Sequence, residues 1–158
     1  MNEIQRLVDQ LERTFTGDAW HGPTVMQILD GTTAARAAAR PAGSVHSIWD
    51  ITLHIAAWEA AVRRRLGGEL VELSAAEDWP EVTDTSEQAW EQTKERLRRV
   101  HQELSDAVAE LDESRLDHPI VAGMSSVYVT LHGVIQHSLY HAGQIALLKR
   151  LSGEVESV

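Results

Sequence analysis

Cysteine is absent from the 158 residues. That excludes disulfides, iron-sulfur clusters, thiolate zinc sites and a cysteine nucleophile. Proline occurs only four times and phenylalanine once. With helix breakers scarce and Ala, Leu, Val, Glu and Arg dominant, the composition favours helices. No run approaches the roughly 18 apolar residues that a membrane-spanning helix needs. The opening segment, MNEIQRLVDQLERTF, is charged and amphipathic rather than an apolar leader. A cytoplasmic protein with no membrane partner is therefore expected. Basic charge is also in deficit, with 14 Lys and Arg against 24 Asp and Glu, for a formal net charge of -10. Such a surface repels phosphate backbones and anionic headgroups, so nucleic acid is not an expected partner either.

What is present is helical periodicity, nearly throughout. Ile4, Leu7, Val8, Leu11 and Phe15 form one stripe, which predicts a helix over about 2–16. Pro23 suits the start of a short helix in AWHGPTVMQIL, because its missing N–H would be unsatisfied there anyway. Ser47 with Asp50 is a variant capping box opening a helix with Ile48, Ile51, His54, Ile55, Trp58, Val62 and Leu66 on its apolar face. Thr85 with Gln88 is a second capping signature. It opens a helix whose seam runs through Trp90, Thr93, Leu97, Val100, Leu104, Ala107 and Leu111. A last helix is predicted at about 127–151. Four amphipathic helices in a chain of one-domain length predict an all-α fold, a four-helix bundle occupying 1–158 as a single domain. The longer connections, 16–47 and 67–85, leave room for a crossover.

Of the eight histidines, three fall where the helical pattern calls for apolar residues. His137 and His141 share a face with Val134, Ile145, Leu148 and Leu151, and His54 sits between Ile51 and Ile55. An imidazole turned into a core must be hydrogen-bonded or coordinated. Two histidines at i and i+4 can chelate one ion, and a third from a facing helix completes a three-nitrogen set with an open position. Zinc, nickel and iron(II) all suit such ligands. The competing explanation is a core of hydrogen-bonded histidines without an ion. Asp50, four residues before His54, is a candidate second ligand shell or fourth ligand, though its capping role already accounts for it. Gln144, seven after His137, could bond an imidazole or a bound water, and Trp58 and Tyr140 are candidate pocket walls. His21, in a Trp-His-Gly-Pro turn, is a candidate pocket residue and more simply a turn former. Glu59 is out of phase with His54, and His101 reads as a residue flanking its helix seam.

The segments HSIWDITLHIAAWE and LHGVIQHSLYHAGQIALLKR resemble the DinB/YfiT-like metalloenzyme family, the DinB superfamily. AWHGPTVMQIL is similar to the opening of one of its subgroups. The resemblance runs from about residue 2 to 151, and His-x-x-x-His-x-Gly-Gln is its most specific part. It implies a bundle of up-down-down-up connectivity. It further implies one divalent metal, nickel or zinc, on His54, His137 and His141, and a homodimer. Relatives of known activity include S-transferases and isomerases that use low-molecular-weight thiols such as bacillithiol, mycothiol or glutathione. The leading expectation is thus a metal-dependent S-transferase that activates a thiol cosubstrate toward a small-molecule electrophile. A metal-dependent hydrolase, with Asp50 as the nearest candidate base, and a non-enzymatic metal-binding stress-response protein are the alternatives.

Overall fold

The computed structural model of the chain describes residues 1–153; residues 154–158 of the expected domain lie outside the described part. Its helices are α1 (Glu3–Phe15), α2 (Val25–Leu29), α3 (Ala34–Ala38), α4 (Ile48–Leu66), α5 (Ala75–Asp78), α6 (Glu87–Ala109) and α7 (Val127–Leu151). Short 3-10 turns occupy Pro41–Gly43 and Glu113–Arg115. Among the described residues the fold is all-α, without a β-strand.

The helix starts are written in side-chain oxygens. Reciprocal capping boxes join Asn2 to Gln5, Thr24 to Gln27, Ser47 to Asp50 and Ser74 to Glu77. Each satisfies backbone N–H groups that a first turn leaves without partners. For α6 the expected pair, Thr85 and Gln88, is displaced by one residue. Ser86 caps instead and accepts from the Ala89 N–H. The Asp84 carboxylate accepts the Ser86 N–H at 2.9 Å and so fixes Ser86 as the extended residue before the helix.

Two apolar clusters fill the interior. The first joins Phe15 at the end of α1, Ile51 and Ile55 in the first half of α4, Trp90 and Leu97 in α6, and Ile145 and Leu148 late in α7. The second joins Ile4 and Leu7 at the start of α1, Val62 late in α4, Leu104 and Val108 late in α6, and Val127 and Leu131 at the start of α7. Two fully buried tryptophans lock the first cluster with their polar edges satisfied. The Trp49 Nε1–H donates to Thr93 Oγ1 at 3.0 Å, and the Trp90 Nε1–H donates to the Thr32 carbonyl at 2.6 Å. They tie α4 and the α2–α3 connection to α6.

Between the clusters lies a buried polar group. His101, expected on the flank of α6, is only 4% exposed, stacked on Phe15 at a centroid distance of 3.8 Å. Its Nδ1–H donates to Glu59 Oε2 at 3.1 Å, and the Ser138 hydroxyl donates to Glu59 Oε1 at 3.3 Å. The seam reading gave α6 too narrow an inner face. This helix packs on both α1 and α4, which buries a wider stripe than a two-helix seam does.

Candidate metal centre

His54 and His141 are buried and His137 is half-buried, where α4 and α7 face each other. One nitrogen from each comes within 4.8 Å of the others. The Nε2 atoms of His54 and His137 stand 3.0 Å apart. Nitrogens bound at about 2.0–2.1 Å to one tetrahedral ion stand roughly 3.3 Å from each other, so the pair is already near ligand spacing.

The outer nitrogens decide which way the inner ones face. The Nδ1–H of His54 donates to the Asp78 carbonyl oxygen at 2.8 Å, with Asp78 Oδ1 a further 3.1 Å neighbour. The Nδ1–H of His141 donates to Gln144 Oε1 at 2.6 Å. A proton held on Nδ1 leaves the Nε2 lone pair turned inward, the arrangement that acceptors beside metal-binding histidines usually impose. The third ring is different: His137 Nδ1 is buried with no protein partner among the described residues.

Charge points the same way. Burial pushes the His137 pKa down to about 4, and the His141 and His54 rings add to the shift, with Asp78 opposing. His141 is also lowered, first by burial, with its bond to Gln144 acting in the other direction. Neutral imidazole is the form that can donate a lone pair, so His137 remains a competent ligand well into acid.

Trp79 falls in the long connection between α4 and α6. It follows α5 and stacks flat on His54 at 3.9 Å, with His46 stacked on its other face at 3.6 Å. Asp78, just before it, holds both His54 and the Trp58 Nε1–H, the latter at 2.7 Å. The Ser74–Glu77 box, which forms α5, is what delivers this pair of residues to the site. The cue in the sequence was an acidic turn running straight into Trp-Pro; no helical period could connect it to His54.

A cavity of about 480 Å³ opens beside the imidazoles, lined by His54, Trp58, Val62 and Asp78 on one side and by Gly133, Val134 and His137 on the other. Trp58 is therefore a wall residue. Gln144 touches the group through His141. Tyr140 packs edge-on to His141 at 5.1 Å but is 66% exposed, on the outside of α7. Asp50 is elsewhere. Its carboxylate accepts from the Ser47 backbone and from Arg40 at 2.8 and 2.9 Å. Burial alone would raise its pKa, yet those bonds outweigh it and hold the carboxyl below the usual range. His21 is exposed and borders a separate hollow with Arg13, Trp20 and Leu139.

The sequence profile of the DinB superfamily matches residues 4–145, a span that includes all three histidines. The chain belongs to the DinB superfamily. No curated protein and no solved structure matches it. For this DinB chain the site is thus read from its own geometry: three imidazoles, acceptors on two outer nitrogens, and an adjoining cavity. That donor set fits a divalent cation.

Proposed function

We propose that this DinB-superfamily protein binds one divalent metal ion, zinc or nickel with iron(II) next, through His54, His137 and His141. The observation that carries this reading is the convergence of three imidazoles whose outer nitrogens are held, in two cases, by acceptors. We further propose the finer fold that goes with it, a single-domain four-helix bundle of α1, α4, α6 and α7 connected up-down-down-up. The sharing of the apolar clusters supports it. The starts of α1 and α7 meet the ends of α4 and α6 in one cluster, and the opposite ends meet in the other.

The activity we favour is transfer of a low-molecular-weight thiol to a small electrophile. A divalent ion lowers the pKa of a thiol that it binds, which supplies the nucleophile without a protein cysteine. The sulfur forms a bond to an electrophilic carbon, the leaving group departs with its bonding pair, and the thiol proton passes to solvent. The protein's part is to fix the imidazoles through Asp78 and Gln144, to wall the site with Trp58 and Trp79, and to hold the electrophile in the cavity. Hydrolysis would ask for a free carboxylate base. Asp50 is committed to its cap and Asp78 to Trp58 and His54, which supports ranking that reading second. A non-enzymatic metal store would favour a fourth protein ligand, and no fourth His, Asp or Glu joins the group among the described residues. A cytoplasmic homodimer belongs to the same proposal, with the exposed Tyr140, Leu147 and Leu151 of α7 as the apolar surface it would cover.

Metal content by mass spectrometry on tag-free protein, wild type beside His137→Ala, tests the reading. Near one equivalent of one divalent metal in the wild type, lost in the variant, is expected. No metal in either, with none taken up on addition, would leave the histidines as hydrogen-bonded core and overturn it. Thiol-transfer assays on the loaded protein follow.

A further inference from the structure

Arg65 stands three turns beyond His54 on α4. Residues 54, 58, 62 and 65 share one face, and at 1.5 Å of rise per residue about 16 Å separates the first Cα from the last. All four line the cavity, with Val129, Gly133, Val134 and His137 of α7 opposite. The cavity is a groove with imidazoles at one end and a guanidinium at the other.

Arg65 differs from the two arginines beside it. Its neighbours Arg63 and Arg64 each meet a carboxylate, Glu103 and Glu69. Arg65 instead sends Nε and Nη2 to one backbone acceptor, the Val71 carbonyl, at 3.0 and 2.7 Å. Its guanidinium carbon lies 5.5 Å from the centroid of the Trp58 ring. No carboxylate pairs with it among the described residues, in a chain whose formal net charge is -10. Two neutral contacts fix the direction of the fork and leave its charge uncompensated, which is how an arginine is set up for an incoming anion. The walls between the two ends are mostly apolar, from Trp58, Val62, Val129 and Val134, with Ser125 and Thr130 adding hydroxyls; the one carboxylate of the lining, Asp78, is held at the imidazole end by His54 and Trp58. Gly133 keeps the groove open, since a Cβ there would meet nothing within 4 Å.

We propose that the groove takes a small organic acid. Its carboxylate lies on the Arg65 guanidinium, its apolar body lies along Trp58 and Val62, and its far end meets the imidazoles. The identity of that far end as the reacting end rests on the metal reading; the carboxylate subsite does not.

Octanoate and octanol, matched in length, are the probes, titrated by calorimetry into the protein as purified and after treatment with a chelator. Octanoate is expected to bind about tenfold or more tightly than octanol, in both preparations, because a charge-assisted bond forms in a partly enclosed site. Arg65→Gln should bring octanoate to the octanol level. Arg65→Lys, which keeps the charge and guards against a folding defect, should restore part of the difference. Gly133→Leu should weaken both ligands by filling the groove. Equal binding of octanoate and octanol, or no binding of either to folded protein, overturns the proposal. So does an octanoate affinity that survives Arg65→Gln and disappears on chelation, since the carboxylate would then be at the imidazoles. Failure of the metal reading alone would appear as protein that never carries metal yet still prefers octanoate through Arg65.

Discussion

The interior holds two groups of buried histidine, and they differ in what faces them. His101 is sealed by Phe15 and bonded to the carboxylate of Glu59, which also accepts from Ser138. His54, His137 and His141 turn their inner nitrogens toward one another beside an open cavity, and their acceptors stand behind two of the three rings. The first group pairs His101 Nδ1 and Ser138 with the Glu59 carboxylate, while His101 Nε2, like His137 Nδ1, has no protein partner among the described residues. The second gathers one nitrogen from each ring around a common point and, among the described residues, pairs none of them with a carboxylate there. A buried histidine in a helix seam is thus ambiguous by itself, and the position of its acceptor, in front of the ring or behind it, separates a structural role from a ligand.

The sharpest way to break that distinction is to delete one partner from each group. Glu59→Ala should cost about 3–5 kcal/mol, because it strands His101 and Ser138 in a dry interior and leaves a cavity. The metal-free His137→Ala variant should lose less, since His137 is only half-buried and its one close polar contact is His54 Nε2 at 3.0 Å, with no carboxylate left stranded. Denaturant titrations of both, with chelator present, read the difference. Similar losses would mean that the triad is as structural as the sealed pair.

A second test uses acid. The His137 pKa sits near 4 in the folded protein against an ordinary 6.5, because burial opposes its charge. Between those values the unfolded chain binds the extra proton and the folded one does not, so unfolding becomes easier as pH falls. The contribution is fully present above about 6.5, declines through the window, and is spent once pH passes below about 4. Metal-free wild type should therefore lose stability between pH 6.5 and 4, and His137→Ala should lose less over the same window. Parallel curves would show that some other group carries the acid response.

The comparison also marks what could be read in the sequence. The amphipathic stripes of α1, α4 and α7 were legible because a helix face is local, and the period alone put His54, His137 and His141 on inner faces. The Ser47–Asp50 cap was legible for the same reason, and it explains Asp50 without the site. Trp79 and Asp78 were not, because their partner is His54, 25 and 24 positions away, reached through a short helix that no long apolar pattern announces. Glu59 was rightly set apart from His54, yet only the packed structure reveals that its phase directs it to His101. Neither residue's sequence neighbourhood encodes a contact between α4 and α6.

Gln144 offers a narrower test of the acceptor-behind-the-ring argument. Gln144→Ala removes the acceptor of the His141 Nδ1–H and should weaken metal affinity by about tenfold, the scale on which such supporting partners act. Its effect on metal-free stability should be slight, because the side chain is only half-buried. Competition titration against a chromophoric chelator measures the first and thermal unfolding the second. A loss of stability with affinity unchanged would place Gln144 with the structural contacts of α7 rather than with the site.

The smallest effect concerns Gly133, which lies in the interior of α7 and borders the cavity. Glycine there costs helix stability, about 0.5–1 kcal/mol relative to alanine, because its backbone loses more freedom on folding. A methyl group would enter open space with no atom to displace. Gly133→Ala should therefore raise stability by up to about that amount while leaving metal affinity unchanged, read by thermal unfolding of the metal-free protein. The sealed layer has no comparable position: Ser138, five residues further along α7, is 1% exposed and already fills its place against Glu59. A helix residue that gains stability on substitution is one whose present identity answers to something other than folding, and here that is the space beside the imidazoles.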